Sequence, residues 1–214
     1  GTVFADLGNN VVCCDKDTSK IDMLKRGEMP IYEPGLEEMV KRNAEDQRLL
    51  FSSDLDRAIK DSEVVFIAVG TPPGSDGYAD LSAVKSVAKT IAQNLDSYKV
   101  IVNKSTVPVG TGDVVREIIE VNKINPNVKF DVVSNPEFLR EGNAINDTLC
   151  PDRIVIGAPS KNVAMRILEL YAPLERPMII TDVYSAEKIK YASNAFLATK
   201  ISFSVLQIAA CCSA

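Results

Sequence analysis

The chain has 214 residues, 46% hydrophobic and 25% charged, with 11 glycines and 11 prolines, a composition that supports a packed core and excludes disorder, collagen and fibre. Lys and Arg total 24 against 29 Asp and Glu, a net charge of -5 that argues against a general nucleic-acid binder. Histidine is absent, which excludes a Ser-His-Asp triad or a His-ligated metal and leaves Glu, Asp, Lys, Tyr or Cys as acid and base.

Residues 1–7 read as a helix closed by a C-capping Gly8. The run Val11-Val12-Cys13-Cys14 then reads as a strand ending at Asp15. In a dinucleotide-binding βαβ unit, an acid that bonds the ribose lies roughly 20 residues beyond the glycine loop. Counting back that far from Asp15 passes residue 1, so residues 1–7 are expected to be the tail of the first helix, with the first strand and glycine loop outside this chain. On the residues alone, Asp15 is either that acid or a solvated strand-end acid. Lys16 and Lys20 either neutralise a phosphate or face water.

Helices are predicted over 18–26, 35–45 and 54–61, then a strand over 64–69, a helix over 81–95 and a strand over 100–102. A helix over 111–121, strands over 130–133 and 154–156, a helix over 160–171, a strand over 178–180 and a helix over 184–210 complete the pattern. This alternation predicts an α/β fold with a doubly wound, mostly parallel sheet. The expected strand order is 3-2-1-4-5-6 with the central strand outside the chain. The expected organisation is a Rossmann-like domain over 1–182, incomplete at its N-terminus, and the start of an all-helical central domain over 183–214.

The five cysteines, Cys13, Cys14, Cys150, Cys211 and Cys212, lack the C-x-x-C spacing of zinc and redox sites. A reduced, cytoplasmic protein without a metal is expected. The longest uncharged apolar stretch, residues 201–214, is shorter than the roughly 20 residues that span a bilayer, and no basic-then-apolar leader opens the chain. No membrane partner is expected.

Polar motifs cluster where predicted strands end. Thr71, Thr106 and Glu137 each follow one, and in an open parallel sheet those loops line the ligand crevice. Pro72 and Pro73 stiffen the first loop, while Ser105 and Thr106 offer hydroxyls and amides. Pro136 pushes Asn135 toward extended geometry. An apolar crevice beside Phe138 and Leu139 favours the protonated form of Glu137, which suits proton handling near neutral pH; the alternative is an exposed loop acid. Lys190 and Asn194, four apart on a predicted helix, share a face. They could stabilise one developing oxyanion, or be a snorkelling lysine and a helix-end asparagine.

Several stretches in order carry a resemblance: Ile31-Tyr32-Glu33-Pro34-Gly35-Leu36, Val69-Gly70-Thr71-Pro72-Pro73, Lys104-Ser105-Thr106-Val107-Pro108-Val109-Gly110, Asn135-Pro136-Glu137-Phe138-Leu139-Arg140-Glu141-Gly142, Pro151-Asp152-Arg153, and Lys190 through Asn194-Ala195-Phe196-Leu197-Ala198. From Gly1 to about Phe203 the chain resembles the UDP-glucose/GDP-mannose dehydrogenase family. The resemblance implies NAD-dependent oxidation of UDP-glucose at C6 to UDP-glucuronate, with two NAD molecules and a cysteine that traps the aldehyde. It implies Asp15 on the adenosine ribose, Lys20 near it, and Val69, Gly70, Thr71, Pro72, Pro73, Ser105, Thr106, Val107 and Glu141 along NAD. Glu137, Phe138, Leu139, Arg140, Glu141, Lys190 and Asn194 are implied at the sugar nucleotide. Within that set Lys190 and Asn194 would stabilise oxyanions, and Glu137 with Thr106 would manage the hydrolytic water.

The family's Gly-Phe-Gly-Gly-x-Cys nucleophile stretch is not among these residues, Cys211 and Cys212 do not replace it, and residues 204–214 depart from the family pattern. The expectation is therefore an inactive fragment of an enzyme that is homo-oligomeric when complete. The alternatives are a shortened non-catalytic nucleotide-binding or subunit-pairing protein, and a relative acting on UDP-N-acetylmannosamine or GDP-mannose. Thr71-Pro72-Pro73-Gly74 followed by Asp80-Leu81-Ser82 resembles the UDP-glucose type more closely.

Overall fold

Short β-branched runs alternate with amphipathic helices through the computed structural model, which describes residues 1–75 and 77–212, the side chains of 207–212 excepted. The Cys211 and Cys212 side chains therefore lie outside the described residues, as do residues 213–214 of the divergent tail. Helix α1 (Thr2–Asp6) closes at Gly8, whose φ of 95° turns the chain into β1 (Val11–Cys14). Helix α2 (Thr18–Lys25) starts where the Asp17 carboxylate accepts the Ser19 and Lys20 amides. Helix α3 (Leu36–Glu45) packs on α1 and leads to β2 (Leu49–Ser52), parallel to β1.

Next come α4 (Leu55–Asp61), β3 (Val64–Ile67), α5 (Ser82–Gln93), β4 (Lys99–Asn103), α6 (Thr111–Asn122) and β5 (Phe130–Ser134). The chain continues through α7 (Ala144–Leu149), β6 (Ile154–Gly157), α8 (Lys161–Tyr171) and β7 (Met178–Thr181), and ends in α9 (Val183–Cys212). The strands form a two-stranded sheet, β1-β2, and a five-stranded sheet ordered β3-β4-β5-β6-β7. Pairings are parallel except β5 with β6, which meet antiparallel at Ser134 and Gly157. Within the sheets the orders β1-β2 and β3-β4-β5 agree with the neighbours that the expected 3-2-1-4-5-6 order gives to either side of its central strand.

Every residue of β4 is buried, as a central parallel strand covered on both faces requires. Ile101 packs with Ile91, Val115, Ile119 and Val132 on one face. Val100 and Val102 pack with Val133, Ile156, Ile167 and Tyr171 on the other. At roughly 1.5–3 kcal/mol for each fully buried aliphatic side chain, these two layers fix the positions of the β3, β4 and β5 ends.

Two elements differ from the sequence expectation. β2 is a seventh strand at Leu49–Ser52, a four-residue run in a polar stretch too short to show alternation. Helix α7 forms where no element was predicted. Its start is held by the distant Glu33 carboxylate, which accepts Gly142 N at 2.7 Å and Ala144 N at 3.4 Å, so local sequence does not announce it.

The junction with α9 is specific. Glu187 accepts Gly110 N at 2.7 Å and Gly112 N at 2.8 Å, placing a carboxylate on the open amides that begin α6. A Cβ on Gly112 would lie 2.6 Å from Val183 Cγ1, so only glycine permits this approach. Among the described residues no helix is long and apolar enough to cross a membrane.

Candidate active site at the carboxyl ends of the strands

The loops after β3 and β4 are stitched together by side chains. Ser105 Oγ accepts Val69 N at 3.0 Å and donates to Val69 O at 2.7 Å, doing for the loop what a neighbouring strand does in the ladder. This is why β3 stops at Ile67, two residues before the predicted end. Thr71 Oγ1 donates to Thr106 O at 2.7 Å. Pro73 pairs with Ala79 in an isolated bridge, and Asp80 N donates to Pro72 O at 2.8 Å. Gly70, Pro72 and Pro73 remain exposed. The Val107 side chain belongs to the core, which leaves its backbone to face a ligand.

At the other sheet, Asp15 follows β1. Its Oδ1 accepts Asp17 N at 3.0 Å and its Oδ2 accepts Lys20 Nζ at 3.4 Å, with 39% of the side chain exposed. A carboxylate has about four acceptor positions, so Asp15 keeps capacity for two vicinal hydroxyls. That residual capacity, with the braced loops after β3 and β4, fits a dinucleotide.

Glu137 and Lys190 meet, although they are 53 residues apart in sequence. Lys190 Nζ lies 3.2 Å from Glu137 Oε1, and Leu139 N donates to Glu137 Oε2 at 2.6 Å. The lysine is 7% exposed. An ion pair thus stands where sequence reasoning placed an apolar crevice. Phe138 has two cations near its ring, Arg153 Cζ at 4.7 Å and Lys190 Nζ at 5.3 Å from the centroid. Arg153 also donates to Ser193 Oγ at 3.3 Å.

The remaining predicted residues are not drawn into this cluster. Asn194 is exposed on α9, one turn beyond Lys190. Arg140 is occupied by Asp147, which accepts Arg140 N, Nε and Nη2 at 2.9, 3.0 and 2.6 Å. The Arg140 hydrogen bond is the leading cause that holds Asp147 down to about 2. Leu139 and Glu141 are exposed.

Lys104 joins the cluster although sequence reasoning gave it no role beyond its motif. Its Nζ donates to Asn135 O at 3.2 Å and to Asn135 Oδ1 at 3.3 Å. Burial pushes its ammonium down to about 8, opposed by nearby Glu137 and assisted by Lys190. The available signal was position, because Lys104 leaves β4 one residue before Ser105, on the same strand end. Arg153 and Glu33 were likewise visible only as motif members.

Residues 1–175 match the UDP-glucose/GDP-mannose dehydrogenase family, NAD binding domain. The chain is 58% identical over 203 residues to the UDP-glucose 6-dehydrogenase TuaD of Bacillus subtilis, covering 95% of this chain and 44% of that protein. Among solved structures it resembles a UDP-glucose dehydrogenase from Pyrobaculum islandicum, with TM-score 0.91, 43% identity, and coverage of 94% of this chain and 47% of that one. It also resembles a GDP-mannose dehydrogenase from Pseudomonas aeruginosa solved as a ternary complex, with TM-score 0.90, 36% identity, and coverage of 94% and 48%. The chain spans about half the length of the curated relatives it matches.

Proposed function

Because the chain belongs to the UDP-glucose/GDP-mannose dehydrogenase family, we propose that it is the NAD-binding part of an enzyme that oxidises UDP-glucose to UDP-glucuronate. The observation that carries this reading is the Glu137–Lys190 pair at the loop ends beside the Ser105-braced loop. It supplies a carboxylate and a protected cation at one point of a dinucleotide crevice. The higher identity to UDP-glucose dehydrogenases than to the GDP-mannose enzyme supports the choice of sugar nucleotide.

NAD, when bound, supplies the hydride acceptor. Asp15 would hold its ribose hydroxyls, with Lys20 beside them, and the backbone of 69–73 and 105–107 would line it. Lys190 Nζ donates to the oxygen at the sugar's C6 as negative charge grows there, an interaction stronger in the transition state than in the ground state. Glu137, its Oε2 held by Leu139 N and its Oε1 by Lys190 Nζ, would exchange a proton with the water that hydrolyses the acyl product of the second oxidation, with Thr106 as the second group managing that water. Glu141 would face the cofactor, and Asn194 and Arg140 the sugar nucleotide.

Assembly as a homo-oligomer belongs to the same reading, supported by the exposed Phe196, Leu197, Ile201, Phe203 and Leu206 on α9. The division at residue 182, before α9, and a reduced cytoplasmic location belong to it as well; free Cys13, Cys14 and Cys150 support the latter. The test is a coupled assay of a polypeptide extended to its relatives' length, with UDP-glucose and NAD. Two NADH formed per UDP-glucuronate is expected. Turnover of GDP-mannose or UDP-N-acetylmannosamine in preference to UDP-glucose would overturn the assignment.

A further inference from the structure

Asn135 is a fully engaged junction beneath the site. Its backbone N donates to Asn103 O at 2.9 Å, its Nδ2 donates to Val155 O at 2.8 Å, and its Oδ1 accepts Tyr171 OH at 2.5 Å and Lys104 Nζ at 3.3 Å. The residue is 1% exposed. Its carbonyl precedes Pro136, which has no N–H with which to anchor the peptide from the other side. The orientation of the 135–136 peptide therefore depends on what that carbonyl accepts, and Lys104 Nζ is the donor, at 3.2 Å. Glu137 is the next residue along.

We propose that Lys104 is a positioning residue for the Glu137–Lys190 pair, its ammonium fixing the Asn135–Pro136 peptide that carries Glu137 and adding a second cation near that carboxylate. The catalytic consequence rests on the dehydrogenase reading above; the geometry does not. Lys190 reaches the carboxylate from α9 at 3.2 Å, while Lys104, from the end of β4, is bonded to Asn135 and lies near enough to both for their charges to act on it. The Tyr171 hydroxyl from α8 shares Asn135 with Lys104. A neutral side chain at 104 would free the peptide and leave Lys190 alone against the carboxylate. A carboxylate that loses a neighbouring cation keeps its proton to higher pH, and an ammonium that loses one does the same.

The experiment compares parent, Lys104→Met and Lys104→Arg in the polypeptide extended to its relatives' length. With UDP-glucose and NAD, Lys104→Met should lose about 10-fold or more in kcat with KM for UDP-glucose within about 3-fold, the pattern of a transition-state effect. Both limbs of its pH profile for kcat/KM should move upward by about half a pH unit. Lys104→Arg should restore the limbs. A rate loss with unmoved limbs reduces Lys104 to a structural role and overturns the proposal, as does a Lys104→Met enzyme with parental kcat and profile.

Carboxyl-carbon NMR titration of Glu137 in the same proteins needs no turnover, and its midpoint should rise in Lys104→Met and return in Lys104→Arg. A midpoint that stays put overturns the proposal. A parent inactive on UDP-glucose overturns the proposed function instead, with the NMR arm still deciding on Lys104. Should Lys104→Met fail to fold, Lys104→Gln carries the same measurements.

Discussion

Removing the Glu187 carboxylate tests how α9, and with it Lys190, is held over the sheet. Glu187 is 2% exposed and accepts the Gly110 and Gly112 amides at 2.7 and 2.8 Å. These N–H groups begin α6, where no intrahelical acceptor exists. Glu187→Ala leaves both without a partner in a buried place, at about 1.5 kcal/mol or more each, which gives a loss of about 3 kcal/mol. The desolvation that raises the carboxyl's pKa in the folded chain opposes part of the gain and keeps the figure at this lower end. A domain of this size moves about 2–4 °C per kcal/mol, so Tm should fall by about 6–12 °C. Glu187→Gln keeps one acceptor and should fall between. Urea unfolding followed by circular dichroism reads the difference as a midpoint shift at constant slope. An Ala variant within about 0.5 kcal/mol of the parent would show that α9 is held by packing around Val183 and Ala186 rather than by this clamp.

Lys190→Ala in the extended enzyme should lower kcat by roughly 100-fold with a smaller change in KM, and Asn194→Ala, exposed on the same helix, should lose less; steady-state kinetics with near-normal kcat for Lys190→Ala would reduce the lysine to a structural partner of Glu137. Asp15→Ser should raise the NADP-to-NAD ratio of kcat/KM by about 10-fold or more, because the carboxylate that accepts ribose hydroxyls repels a 2'-phosphate; an unchanged ratio would move the ribose elsewhere. The Asp147–Arg140 pair holds the Asp147 carboxyl down to about 2 against an ordinary 3.8, so its stabilisation is present above 3.8 and lost as pH falls through about 2. Hydrogen exchange in the 140–149 segment should therefore differ between parent and Asp147→Asn at neutral pH and converge toward pH 2, and a difference that persists in acid contradicts this.

The parallel sheet was legible because the residues of β3, β4 and β5 form β-branched runs between amphipathic helices, and a run buried on both faces has no other economical fold. β2 was illegible because four residues, one of them Ser52, do not establish a period, and its partner β1 lies beyond two intervening helices. Glu137 and Lys190 were legible as separate chemical groups, but their pairing depends on where α9 lands. That is set by Glu187 and Gly112, which carry no local signal. Spacing by four puts Asn194 one turn beyond Lys190, where its side chain is exposed.

Glu187, Lys190 and Ser193 recur every three residues along α9 and engage α6, Glu137 and Arg153 in turn. A helix turns about 100° per residue, so these contacts form one stripe whose phase is set by where the helix starts, at Val183. Exchanging any one side chain breaks one contact, whereas adding or removing a single residue between Val183 and Glu187 rotates all three away together. The first turns of α9 thus behave as a keyed shaft, tolerant of changed teeth and intolerant of changed length.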